Sequence, residues 1–456
     1  LCDELGILLW QDFMYACGLY PDYEPGFLDE AEREARVAVN RLRNHPSIAL
    51  WCGNNEIDWS ADITFWSQPG CDFPGKRIYH DLLPRVVKEL DPSRFYWPSS
   101  PYGGNDHNAA AVGDRHNWQT WHGSVYPRRF GQSPERSFTP AGVSYRHYAE
   151  DMGRFISEFG MHAAPVLETL RRNIPPNALV LGSAELQYRN KDDPKDKGNQ
   201  LMLAHTGLPT NLQQYIDLSM IAQAEGLKFG IEHYRRRKPH CSGTLLWQLN
   251  DCWPGLSWSV LDHNRFPKAG YFYAKRAFAP IIATFKLVKD GIELWIVNDT
   301  LEEYRDTITW GHARFTGETI QQEEITTSVP QNSARIIKHL RDARLAQSLS
   351  AEYLYVFSGN HSFPDNRLFL AEIKDLCRPK PVYYFEKCAV SDHNITVELS
   401  SDQFTYFVKL ECPIDGTRYS DNYVDLFPGR PVIVRICNVA GRTITPDEIT
   451  VSNLPA

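Results

Sequence analysis

The stretch Ala49-Leu-Trp-Cys-Gly-Asn-Asn-Glu-Ile-Asp-Trp59 runs from an apolar, strand-like segment into three consecutive hydrogen-bonding side chains that end in a carboxylate. An apolar run bounded by Pro46 and Gly53 reads as a buried strand, and its polar end is where such a strand would deliver chemistry. A helix precedes it. Leu28, Ala31, Ala35, Ala38, Val39 and Leu42 recur at helical spacing among charged residues, and the pattern stops at Asn44-His-Pro46.

The same alternation of strand and helix continues outward. "GILLWQDF" (Gly6 to Phe13), "RFYWPSS" (Arg94 to Ser100), "HNWQTWHG" (His116 to Gly123), "GRFISEFG" (Gly153 to Gly160) and "SGTLLWQLND" (Ser242 to Asp251) are the other strand candidates. A long helix is expected from Leu212 to Tyr234, opened by a capping box of Thr210 and Gln213 and closed by the cationic run from Arg235 to Pro239. Six strand candidates joined by helical segments predict an α/β fold, a TIM (β/α)8 barrel represented from about strand 3 to strand 8 over residues 1–280. The opening at Leu1, without Met, leads to the expectation of a C-terminal part of a longer enzyme whose first two barrel strands lie upstream.

After Pro280 the period changes to short alternating runs. "FKLVKDGIELWIV" is a hairpin around Lys289-Asp-Gly291, and "YLYVFSG", "NRLFLAEI", "ITVELS", "FTYFVKLE" and "PVIVRI" follow. Such spacing predicts two immunoglobulin-like β-sandwiches, 281–378 and 379–456, divided near Cys377 to Tyr384.

Composition narrows the function. The chain of 456 residues carries a net charge of -8, which opposes nucleic-acid binding because a phosphate backbone requires a basic face. No apolar run approaches the roughly 18 residues of a spanning helix, so no membrane role is expected. The 10 Cys show no C-x-x-C pair and no zinc spacing. P-loop, G-x-G-x-x-G, G-x-S-x-G and H-E-x-x-H motifs are absent from the sequence, and neither a metal nor a cofactor is expected. Three sequons, at Asn298, Asn360 and Asn394, permit a secretory route; compartment and oligomeric state are not specified. Aromatic residues reach 12%, which suits either large cores or stacking platforms for sugars.

In a barrel the reactive groups sit at the C-terminal strand ends. Three candidates end in polar side chains: Asn54-Asn55-Glu56, Ser157-Glu158 and Trp247-Gln-Leu-Asn-Asp251. Glu56 and Glu158 are 102 residues apart, three βα steps of ordinary length, so both are expected to face one mouth. Two carboxylates across a pocket suggest glycoside hydrolysis. Asn55 could hold a sugar hydroxyl, His116 and His122 could bond others, and Trp118, Trp121 and Trp247 could supply ring faces. An isolated Asn-Glu pair carries no weight, since it arises by chance in a chain of this length, and single tryptophans more often fill cores.

Taken together, "CDELGILLWQDFMYACGLYP", "WCGNNE", "WHG", "SEFG" and above all "GTLLWQLNDCWPGLSWSVLD" resemble the β-mannosidases of glycoside hydrolase family 2, closely over residues 1–280 and in architecture beyond. The resemblance implies a retaining exo-enzyme that removes terminal β-D-mannose from mannooligosaccharides or N-glycan fragments, with Glu56 as acid/base, Glu158 as nucleophile, Trp247 as a pocket wall and Asn55 bonding the 2-hydroxyl. His116, Trp118 and Trp121 are weaker correspondences to pocket residues, and no metal is implied. The alternatives are another family 2 exo-glycosidase (exo-β-glucosaminidase, β-galactosidase or β-glucuronidase) and a noncatalytic carbohydrate-binding fragment. "NNE" counts against the glucosaminidases, which place Asp where Glu56 stands.

Overall fold

The computed structural model describes all residues except 65–71, 105, 125–134, 343–344, 346–348, 381, 392–393 and 455–456. Six parallel strands form the first layer: β1 (Leu9–Asp12), β2 (Ile48–Cys52), β3 (Phe95–Trp97), β4 (Arg115–Asn117), β5 (Phe155–Phe159) and β6 (Gly243–Leu246). They make two sheets, β1-β2-β3 and β4-β5-β6, each in sequential order, the arrangement of strands in a TIM-type barrel. Isolated parallel bridges, Ala16 to Asn55 and Asn55 to Ser100, extend the first sheet past its strand ends.

Helices cover these strands because their apolar faces require it. Pro25–Leu42 turns Ala31, Ala35 and Val39 inward, where they meet Trp51 of β2 and Leu83 and Val86 of the helix Leu83–Leu90. The helix Leu212–Arg236 has 25 residues, most of them buried, since barrel strands cover one side and the sandwiches the other. Its N-terminus corrects the expected capping box by one residue. Asn211, in an extended conformation, caps Gln214 N–H at 3.0 Å, while Thr210 donates through its backbone N–H and Oγ1 to the Gln214 side chain and Gln213 reaches forward to Asp217.

The remaining chain is antiparallel. β7 (Ile281–Val288), β8 (Gly291–Asn298), β9 (Tyr304–Arg314), β10 (Thr319–Val329), β11 (Ser333–Leu340), β12 (Leu349–Ser358) and β13 (Asn366–Leu370) form sheets β10-β9-β12-β13 and β11-β8-β7. Gly291, at φ 145°, opens β8 where a Cβ would lie 2.1 Å from Leu340 O. β14 (Tyr383–Ser391), β15 (Asn394–Ser401), β16 (Thr405–Glu411), β17 (Thr417–Tyr419), β18 (Val424–Leu426), β19 (Val432–Asn438) and β20 (Thr450–Ser452) form β14-β15-β19-β17 and β18-β16-β20. Each sheet pair encloses its own core, centred on Leu294, Trp310 and Val356 in the first and on Val397, Val408 and Val434 in the second. Asn298, the first sequon residue, is buried and donates to three backbone carbonyls, so its amide is closed to modification in the folded chain. No helix among the described residues is long and apolar enough to cross a membrane.

Candidate active site

The chain beyond β2 is built to hold Glu56 in a fixed place. At Gly53 a Cβ would lie 2.3 Å from Pro98 O, so only glycine permits the approach to the segment after β3. Asn54, fully buried, donates to Asp58 and Pro98 O and accepts from Ser99 Oγ and Ile57 N–H, which ties the loop and starts the next helix. Glu56 has φ 59°, a left-handed conformation that costs a non-glycine residue roughly 1–2 kcal/mol. Its N–H donates to Ser100 O at 2.7 Å, and the neighbouring Asn55 is bridged on both sides, so the surroundings impose that conformation.

Glu158 arrives from the other sheet. It lies on β5, in register with His116 of β4, and accepts Trp118 Nε1–H at 2.9 Å. His116 Nδ1 lies 2.8 Å from Glu56 Oε1 and 3.3 Å from Glu158 Oε2, so one imidazole joins the two carboxylates. Burial alone would depress the His116 pKa, but Glu158, Glu56 and Asp114 outweigh it and raise it to about 9. Burial pushes the Glu158 carboxyl up to about 7, with His116 pulling it down and Glu56 pushing it further up. The two glutamate side chains keep 16% and 13% of their surface, so the pair is reachable while His116 behind it is not.

Glu56, His116 and Glu158 each offer one atom within 4.8 Å of the others, a spacing a small cation could use. Metal binding needs a bare imidazole nitrogen, whereas Nδ1 here faces two carboxylate oxygens that call for a hydrogen. The donor set therefore suits an imidazolium rather than a metal.

The other expected site residues divide. Asn55 lies at the rim, partly exposed, with Nδ2 3.6 Å from Cys17 Sγ. Trp247, at the end of β6, is 41% exposed, and Gly160 makes room for it: a Cβ there would lie 2.1 Å from Trp247 O and 3.4 Å from the Trp118 ring. Trp118 is 9% exposed and meets Glu158 through its indole N–H. Two expectations are corrected. Trp121 has no exposed surface; its indole donates to Asp192 and stacks on His162, so it offers no face to a ligand. His116 is spent on the two carboxylates and on Ser100 Oγ, which leaves no nitrogen for a sugar hydroxyl. His122 instead pairs with Lys197 at 2.8 Å. No sequence motif marks Asp114, Ser100 or Cys17, whose Sγ is 3.7 Å from Glu56 Oε2; only the fold brings them together.

Known proteins carry the same layout. The family model of the mannosidase Ig/CBM-like domain matches residues 290–387, and that of an Ig-fold domain matches 384–454. The chain is 32% identical to β-mannosidase B of Neosartorya fischeri over 94% of its own length and 52% of that protein. With β-mannosidase B of Aspergillus terreus the identity is 32%, over 95% and 53%. The crystal structure of β-D-mannosidase from Dictyoglomus thermophilum superposes with a TM-score of 0.86 at 35% identity, covering 100% of this chain and 54% of that one. Over nearly its whole length the chain is similar to these β-mannosidases. It spans about half the length of the β-mannosidases it matches. Within that shared half lie all six parallel strands, both sandwiches and the carboxylate pair.

Proposed function

We propose that the chain bears the reacting carboxylates of a retaining exo-β-mannosidase. The observation that carries this reading is the pair itself: Glu56 and Glu158 each place a ligand oxygen within 4.8 Å of the other, with the same imidazole nitrogen between them. Retaining glycosidases hold their carboxyl groups about 5–5.5 Å apart, and inverting ones about 6.5–9.5 Å apart to admit a water. The short separation favours retention.

In the proposed cycle, ionised Glu158 attacks the anomeric carbon and protonated Glu56 gives its hydrogen to the departing glycosidic oxygen. Water then adds to the anomeric carbon, giving its proton to Glu56 and releasing the sugar from Glu158. The two roles require different charge states, and the His116 ring 3.3 Å from Glu158 favours the ionised form of the nucleophile. The exposed Trp247 would wall the terminal sugar and Asn55 would bond its 2-hydroxyl, which supports β-mannosides as the substrate class alongside the homology. A panel of aryl β-glycosides tests the sugar, and proton NMR of the first product anomer tests retention. Fastest release from the mannoside with β-mannose as first product is expected; preference for the glucosaminide, galactoside or glucuronide, or an α-anomer first, would overturn the reading.

A further inference from the structure

The sheets β1-β2-β3 and β4-β5-β6 have no ladder between β3 and β4 among the described residues, yet Glu56 and Glu158 converge from opposite sides of that seam. One carboxylate fills it. Asp114 is 3% exposed and accepts four hydrogen bonds. Trp97 Nε1 (2.8 Å) and Tyr102 N–H (3.0 Å) reach Oδ1, while Ser100 Oγ (2.8 Å) and Ser157 Oγ (2.5 Å) reach Oδ2. The first three donors come from β3 and the segment after it, and Ser157 comes from β5.

Ser100 is the link to the reacting pair. Its single hydroxyl hydrogen goes to Asp114, so toward His116 Nε2, 2.9 Å away, it can only accept. Nε2 therefore carries a hydrogen. Nδ1, facing two carboxylates, carries the other.

We propose that Asp114 is a positioning residue: acting through Ser100, it keeps His116 doubly protonated and so clamps Glu56 and Glu158 across the seam. The clamp rests on the hydrolase reading only where activity is the readout. Among the described residues, Asp12 at the end of β1 interacts with His116 besides Glu56, Glu158 and Asp114, and Cys17 lies beside Glu56. None of these is a base that becomes cationic, so His116 supplies the positive charge of this set.

Asn at position 114 keeps the shape and reverses the relay. Its oxygen can still accept from Trp97 and Tyr102, but its amide must donate to Ser100, whose hydrogen then turns to His116 Nε2 and selects the neutral imidazole. Glu158 would lose the cation that lowers its pKa, so the acid limb of kcat/KM should move up by about one pH unit or more.

The test is a nitrogen-15 histidine NMR titration of the protein, with the His116 signals identified by their loss in His116→Gln. In the parent, His116 should remain doubly protonated at neutral pH. In Asp114→Asn and in Ser100→Ala, its midpoint should fall by about one pH unit or more. Ser100→Ala leaves three of the four Asp114 bonds in place and decides alone if Asp114→Asn does not fold. An unchanged midpoint in Ser100→Ala overturns the proposal. Because this signal does not depend on turnover, a shifted midpoint in a protein inert toward every aryl glycoside would refute the hydrolase reading and leave the clamp standing.

Discussion

Arg367→Met probes how the barrel strands and the two sandwiches are joined. Arg367, on β13, is 4% exposed. Its Nη1 donates to Glu225 Oε2 at 3.0 Å and its Nη2 to Oε1, both on the long helix, while Nε donates to Asp425 Oδ2 at 3.0 Å on β18. Tyr406 Oη–H, from β16, completes the Glu225 shell at 2.8 Å, and the guanidinium lies 4.0 Å from the Phe369 ring centroid. Methionine fills most of the stem volume but strands the buried Glu225 carboxylate and the partly buried Asp425. Breaking a buried pair in this way costs about 3–5 kcal/mol. At roughly 2 °C per kcal/mol for a large unit, the melting transition should fall by roughly 6–10 °C at neutral pH.

The pH dependence of that gap is equally specific. Burial would raise the Glu225 pKa, but Arg367 holds it below its ordinary 4.5, so its contribution is present above that value and fades as pH falls through the lowered one. Without Arg367 the largest influence opposing burial is gone and only the weaker ones of Lys228 and Tyr406 are left, so the folded pKa rises and the carboxyl contributes less stability, or costs some, as pH rises. The melting gap between parent and variant should therefore narrow on going from neutral pH to about 4.5 in a calorimetric or circular dichroism series. A gap worth under about 1 kcal/mol, or one equal at both pH values, would refute the reasoning.

Two further outcomes follow from the site. Gly160→Ala should lower kcat/KM on an aryl β-mannoside at least about tenfold, because its Cβ would meet Trp247 O at 2.1 Å and displace the pocket wall; activity within about twofold of the parent would mean that the wall does not act on the sugar. His116, at about 9 against an ordinary 6.5, contributes stability that is complete below 6.5 and lost as pH rises through 9. Thermal melts across that window should show a decline in the parent that is smaller in His116→Gln, and parallel curves would contradict it.

Much of this architecture could be read from the sequence, for a physical reason. The parallel strands are short apolar runs with polar ends, as in Ile48–Cys52 and Gly243–Leu246, and the helices keep strict apolar spacing, as at Ala31, Ala35 and Val39. The strands β9, β10 and β11 were less visible: β10 is largely Thr, Gln and Glu, with one face in water, and its pairing rests on contacts such as Thr307 with Thr326. At the site, the sequence could point to Glu56 and Glu158 because strand ends face the mouth. It could not tell the exposed Trp247 from the enclosed Trp121, since side-chain direction past a strand end depends on the turn that follows. Nor could it reveal Asp114, whose partners Trp97, Ser100 and Tyr102 lie in one segment and Ser157 in a distant one.

The central claim is that Glu158 forms the bond to the anomeric carbon while Glu56 protonates the departing glycosidic oxygen, and the most direct measurement is hydrolysis of an aryl β-mannoside by the two alanine variants with and without azide. Glu158→Ala should lose turnover of every mannoside. Glu56→Ala should fail on poor leaving groups but recover on activated aryl mannosides when azide is added, because the small anion takes the place of the base-activated water. Near-normal hydrolysis by Glu158→Ala would contradict the account.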